Sequence, residues 1–154
     1  MHLRGREGNE LGLSIVGYQF PDQAVDPWES NALLVAVRVV SPHGSWEVVD
    51  SCLTTWEASR LASWLTSFVV AGDRVPAAVT APNLTVSARP ATASTISLVA
   101  CFELEQRPPW LVSVGGDGAL CVELEVSTAD VVVAAAALRT ELASFPQRGD
   151  DPTV

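Results

Sequence analysis

The sequence predicts an α+β domain: one antiparallel sheet of about six strands with two helices side by side on one face. Three observations carry this. Thr54 to Ala71 and Ser127 to about Ser144 have apolar residues at helical spacing behind helix-start signals. Several short stretches rich in β-branched residues lie between turn signals and read as strands. The length, 154 residues with 48% hydrophobic, suits one domain with a substantial core. Two helices cannot cover both faces of six strands, so one face is expected to meet solvent.

Residues 1–10 are polar and mixed in charge and read as a flexible N-terminus. The domain is expected over 11–146, and the polar stretch 147–154 as a disordered tail. Strands are predicted at Leu11 to Tyr18, Ala32 to Val40 and Ser45 to Leu53, the last two flanking the turn Pro42-His43-Gly44. In the first helix Thr54 and Glu57 form a capping box, and Trp56, Leu61, Trp64, Leu65 and Phe68 mark the buried stripe. Gly72 ends it.

Further strands are predicted at Leu84 to Ala88, Thr95 to Glu105, Leu111 to Val114 and Ala119 to Val126, with Gly115-Gly116-Asp117-Gly118 as a turn. Loops fall at Pro21 to Ser30, Val75 to Asn83, Arg89 to Ala93 and Gln106 to Pro109. The second helix is capped by Ser127 with Asp130 and stopped by Pro146. Leu61-x-x-x-Leu65-x-Ser67-Phe68 recurs as Leu138-x-x-x-Leu142-x-Ser144-Phe145, which suggests a βββα unit used twice.

Charge narrows the function. There is no lysine, and nine arginines stand against eighteen acids, for a net charge of -9. That balance argues against nucleic acid or an anionic membrane as partner and is complementary to a basic protein. The acidity also serves solubility alone. No apolar run approaches the roughly 20 residues that span a bilayer. The first ten residues lack the pattern of a signal peptide, so a cytoplasmic location is expected. Cys52, Cys101 and Cys121 are odd in number and sit in apolar segments, and are expected as reduced, buried thiols without zinc spacing.

Two matching pairs, Glu103-Leu104-Glu105 and Glu123-Leu124-Glu125, lie in predicted strands. Alternation would aim all four carboxylates to one side of the sheet and Phe102, Val122, Val126 and the leucines to the core. Such a row can be a solvated face, a hard-cation site or a partner-binding face. Carboxylates two apart on a strand are about 7 Å apart and seldom converge on one ion, so no metal is expected. Like charges on neighbouring strands repel, which favours a partner that offsets them.

Catalysis has thin material: His2 lies near the terminus and His43 at a hairpin tip, without a nucleophile elbow, phosphate loop or H-E-x-x-H motif. No enzyme activity and no cofactor are expected. Of five tryptophans, Trp56 and Trp64 belong to the helical core stripe. Trp28 and Trp110 sit beside prolines and suit either an interface hot spot or a plug at one end of the core.

Several segments share an order and spacing with one family: Gly17-Tyr18-Gln19-Phe20-Pro21, Asp26-Pro27-Trp28 before Asn31-Ala32-Leu33, Gly44-Ser45-Trp46, and Asp50-Ser51-Cys52-Leu53-Thr54. Pro82-Asn83-Leu84 and Phe102-Glu103-Leu104-Glu105 before Pro108-Pro109-Trp110 continue the series. Over Leu11 to Pro146 the sequence resembles the WapI-type immunity family, small bacterial proteins that protect cells from polymorphic-toxin domains. Ala81 departs from the pattern, which commonly has an acid there.

The resemblance implies a non-catalytic immunity protein that binds a basic toxin domain. Toxins that attack nucleic acid are typically basic, and an acidic inhibitor can occlude them by mimicking phosphate charge. The expected partner-binding residues are Glu103, Glu105, Glu123, Glu125 and Trp110. The alternative is a small acidic secretion-chaperone-like module that grips an unfolded effector segment through apolar grooves. The sequence leaves the oligomeric state open.

Overall fold

A computed structural model describes residues 1–22, 26–71, 78–81, 83–112 and 118–153. The α+β class holds, but the strands form two antiparallel sheets of four, not one sheet of about six. The first contains β1 (His2–Arg4), β2 (Glu10–Tyr18), β3 (Ala32–Ser41) and β4 (Gly44–Thr54) in that order. The second contains β5 (Ala78–Ala81), β6 (Leu84–Pro90), β7 (Thr95–Phe102) and β8 (Leu120–Ser127). Helix α1 (Pro27–Asn31) precedes β3, and α2 (Thr55–Ala71) follows β4. Helix α3 (Pro109–Val112) precedes β8, and α4 (Thr128–Leu142) follows it.

The sheets meet at two places. Between β1 and β8, Arg6 N donates to Glu125 O at 3.0 Å and Asn9 Nδ2 to Glu123 O at 2.8 Å. One backbone bond there is too little to make the sheets one ladder. On the other side Asn83 Nδ2 reaches Asp50 Oδ2 at 3.2 Å, and the Trp46 ring stands edge-on to Phe102 at 5.2 Å. Strand β4 is thereby tied to the far end of β6 and β7.

Both long helices begin where a strand ends, as the caps predict. Thr54 N donates to Glu57 Oε2 at 2.8 Å and Glu57 N to Thr54 Oγ1 at 3.3 Å, which closes the capping box. Asp130 N donates to Ser127 Oγ at 3.0 Å. The helices lie against each other, where Arg139 Nη2 donates to Ala62 O at 2.9 Å and Thr66 Oγ1 at 3.0 Å. The alanines at 134 and 135 are fully buried and permit that close approach. A single core joins Leu61, Leu65 and Phe68 of α2, Val131 and Leu138 of α4, and the inner faces of both sheets.

Each half of the chain is a four-strand meander running straight into a helix. The shared leucine pattern sits one helical turn later in the second half: Leu61 is seven residues past its cap and Leu138 eleven.

Four expectations are corrected. The segment 1–10 contains β1: Leu3 is buried, and the Met1 amine donates to Leu13 O at 2.6 Å and to Glu141 Oε1 at 2.7 Å. The expected tail is docked through Arg148, which lies 3.5 Å over the Tyr18 ring and donates to the carbonyls of Phe20 and Pro21. The Pro21 to Ser30 loop contains α1, because Asp26 accepts from Trp28 N and Glu29 N ahead of a proline in the first turn. The strand expected at Leu111 to Val114 is instead helical as far as Val112. Gly72, Pro82 and the turn residues Gly115, Gly116 and Asp117 lie outside the described residues.

Candidate functional site

Strand β8 behaves as predicted. Val122, Leu124 and Val126 are buried, whereas Glu123 is exposed and Glu125 half exposed on the outer face. Their charges, however, are offset within the chain. Glu123 Oε1 accepts from Ser97 Oγ at 2.5 Å and from Arg89 Nη2 at 2.8 Å. The Ser97 hydrogen bond, then that from Arg89, holds the Glu123 carboxyl below its ordinary range. Glu125 pairs with Arg6 Nη1 at 3.0 Å.

The four glutamates do not form one row. Strand β7 ends at Phe102, opposite Leu120, and the antiparallel register places Val99 opposite Glu123 and Ser97 opposite Glu125. Glu103 therefore lies past the end of the ladder while Glu123 lies back along it, roughly four rungs or 14 Å away. Alternation from Cys101 keeps Glu103 on the outer face, but Leu104 to Gln106 turn as a 3-10 helix. Leu104 has φ 49, and it is the one non-glycine residue with positive φ among those described. Instead of pointing to the core it is 54% exposed. Glu103 and Glu105 flank it, both exposed and without an ion pair among the described residues.

The turn is held from below. Trp46 Nε1 donates to Gln106 O at 3.1 Å in a buried bond, and Glu103 N donates to Asn83 O at 2.9 Å. Gln106 is fully buried, and neither its Nε2 nor its Oε1 has a hydrogen-bond partner among the described residues. Trp110, on α3, stands edge-on to Trp46 with centroids 5.6 Å apart and remains 38% exposed. Gly44 makes this possible: a Cβ there would lie 2.9 Å from the Trp110 ring. Trp110 is thus a braced, half-open aromatic close to the Leu104 turn.

Trp28 is 45% exposed and packs edge-on against buried Trp56 at 5.2 Å. It lies on α1. Beneath it Asn31 is wholly buried. Its Nδ2 donates to Pro27 O and Arg148 O, and its Oδ1 accepts from Thr55 Oγ1 and Arg148 N. Several segments that carry the family resemblance therefore have structural work here: Asp26 caps, Asn31 pins the chain and Trp46 braces.

A cleft of about 360 Å³ runs between the hairpin tip at Pro42 and His43 and the outer face of β8, where Glu7, Cys121, Glu123 and Glu125 line it. His43 is exposed there, its backbone N held by Ser41 Oγ at 3.2 Å. No group of three or more His, Cys, Asp or Glu among the described residues is placed to hold a metal ion. No helix among them is long and apolar enough to cross a membrane.

The cysteines differ from expectation. Cys101 and Cys121 face each other across β7 and β8 and form a disulfide, with Cα atoms 4.0 Å apart. Only Cys52 is a buried free thiol, pushed up to about 12 by burial, with Asp50 and Glu57 adding to the effect. The pairing could not be read from spacing because it depends on the strand register. Leu104 was missed for a related reason: the strand pattern runs on through it, and the Pro108-Pro109 pair is the available sign that the strand stops short.

No curated protein and no solved structure matches the chain. A family model, described as "Immunity protein WapI-like family", matches residues 2–146. The chain belongs to the WapI-like immunity protein family.

Proposed function

We propose that the protein neutralises a toxin domain by binding it, without chemistry of its own, and that residues 103–112 form the centre of the interface. Family membership supports the immunity role. The carrying observation for the surface is Leu104, a bulky residue held at positive φ with its side chain in solvent. Such a conformation costs about 1–2 kcal/mol, and cost of this kind concentrates at functional sites.

The chemistry of the surface defines its partner. Leu104 and the open edge of Trp110 suit an apolar pocket, and Glu103 and Glu105 suit a rim of arginine or lysine around it. Glu123 and Glu125 lie further out on the sheet and can exchange Arg89 and Arg6 for basic groups of the partner. The central apolar contacts supply affinity and the acidic rim speeds association. The place of action that goes with this reading is the cytoplasm.

The test is capture of candidate toxin domains from the same genome by the tagged protein, at low and high salt. A folded basic domain whose capture weakens with salt and with Trp110→Ala supports the reading. An extended effector segment held regardless of salt would instead favour the secretion-chaperone alternative.

A further inference from the structure

We infer that Cys101 and Cys121 form a reversible dithiol–disulfide site on the outer sheet face, open to dithiol reductants in the folded protein, and that it sets the order of the turn at residues 103–107. The two residues are directly opposed in the last rungs of β7 and β8, and one rung later, at Phe102 and Leu120, the ladder ends. Cys121 is exposed and lines the cleft beside β8, while Cys101 is half-buried. A reductant can therefore reach the Cys121 sulfur without unfolding the domain.

The bridge closes a loop across a sequence separation of 20, and that loop contains Glu103, Leu104, Glu105 and Trp110. Among the described residues, the hydrogen bonds from Glu103 N to Asn83 O and from Trp46 Nε1 to Gln106 O, with the edge-on contact of Trp110 on Trp46, tie that loop to the rest of the fold. Strands 4.0 Å apart at Cα have the narrow spacing of a rung without ladder hydrogen bonds, so the sulfur bridge is the tie at that rung. Opening it restores conformational freedom to a loop whose ends it had fixed.

The chemistry balances with a dithiol as the named co-reactant. One of its thiols loses a proton and attacks Cys121 Sγ; the bridge breaks, and Cys101 leaves as a thiolate that takes up a proton. The second thiol of the reductant then displaces Cys121 from the mixed disulfide. The protein gains two thiols, two electrons and two protons, and the reductant leaves as a cyclic disulfide. In a reducing cytoplasm the pair would rest as thiols, and under oxidative stress it would close. Buried Cys52, protonated across the physiological range, takes no part.

The effect on a partner rests on the proposed interface, but the site itself is tested without one. The folded protein is treated with dithiothreitol, alkylated and weighed, and amide exchange is followed in oxidised and reduced protein and in the Cys101→Ser/Cys121→Ser variant. The expected result is alkylation of Cys101 and Cys121 with Cys52 untouched. Amides of 103–107 should exchange at least about tenfold faster in the reduced protein and the variant, with α4 unchanged. The inference is overturned by thiols that appear only together with Cys52, or by equal exchange in both redox states. Neither result depends on whether the toxin-binding surface is correct.

Discussion

The indole nitrogen of Trp46 donates to the main-chain carbonyl of Gln106 at 3.1 Å, inside the protein and across sixty positions of sequence. This bond links the first sheet to the turn that exposes Leu104. Trp46→Phe keeps an aromatic ring against Phe102 but leaves the carbonyl buried without its donor. The expected cost is about 1–3 kcal/mol in urea unfolding, with accelerated exchange of the 104–107 amides.

Gly44 is required by two facts together: φ of 131 and a Trp110 ring 2.9 Å from where a Cβ would stand. Gly44→Ala should destabilise the fold by roughly 1–3 kcal/mol and displace Trp110. Unfolding midpoints report the first effect, and the tryptophan emission maximum of the native protein the second.

Asn31→Ala removes a side chain that makes four hydrogen bonds in a fully buried position. Loss of about 2–4 kcal/mol is expected, since Thr55, Arg148 N and two carbonyls lose partners together. Limited proteolysis should then cut near Arg148, where the wild type resists.

The Glu123 carboxyl, stabilised as the anion by Ser97 and Arg89, titrates below its ordinary value of 4.5. A depressed native value means that its contribution to stability is complete above 4.5 and is lost as pH falls through the lower native value. Glu123→Gln should therefore narrow the stability difference between pH 7 and pH 3 measured by denaturant melts. An identical acid profile for variant and wild type would show that the Ser97 and Arg89 bonds add nothing.

The helices were legible because their signals are local: Thr54 with Glu57 and Ser127 with Asp130 fix each start within a few residues. The placement of Glu123 and Glu125 was legible for the same reason, since alternation along β8 needs no partner strand. What failed was non-local. That Glu103 and Glu123 diverge follows from the β7–β8 register, as does the contact between Cys101 and Cys121. The cover of Leu3 by the core and the reach of Arg148 to Tyr18 depend on residues distant in sequence, which the polarity of the termini does not reveal. Asp26-Pro27 was a readable helix start that a five-residue helix made easy to pass over.

Leu104→Gly separates structure from function. Glycine accepts positive φ without strain, but its unfolded chain is freer by about 0.5–1 kcal/mol, so the two effects nearly cancel. Stability in urea should change by less than about 1 kcal/mol while partner affinity falls.

The claim that residues 103–112 form the interface is tested most directly by calorimetric titration of the captured toxin domain against two variants. One is Glu103→Gln/Leu104→Gly/Glu105→Gln and the other Glu123→Gln/Glu125→Gln. Binding is expected to weaken roughly 100-fold for the first and less than about tenfold for the second, with both folded. Wild-type affinity in the first variant, or a larger loss in the second, would contradict it and move the interface to the face of β8.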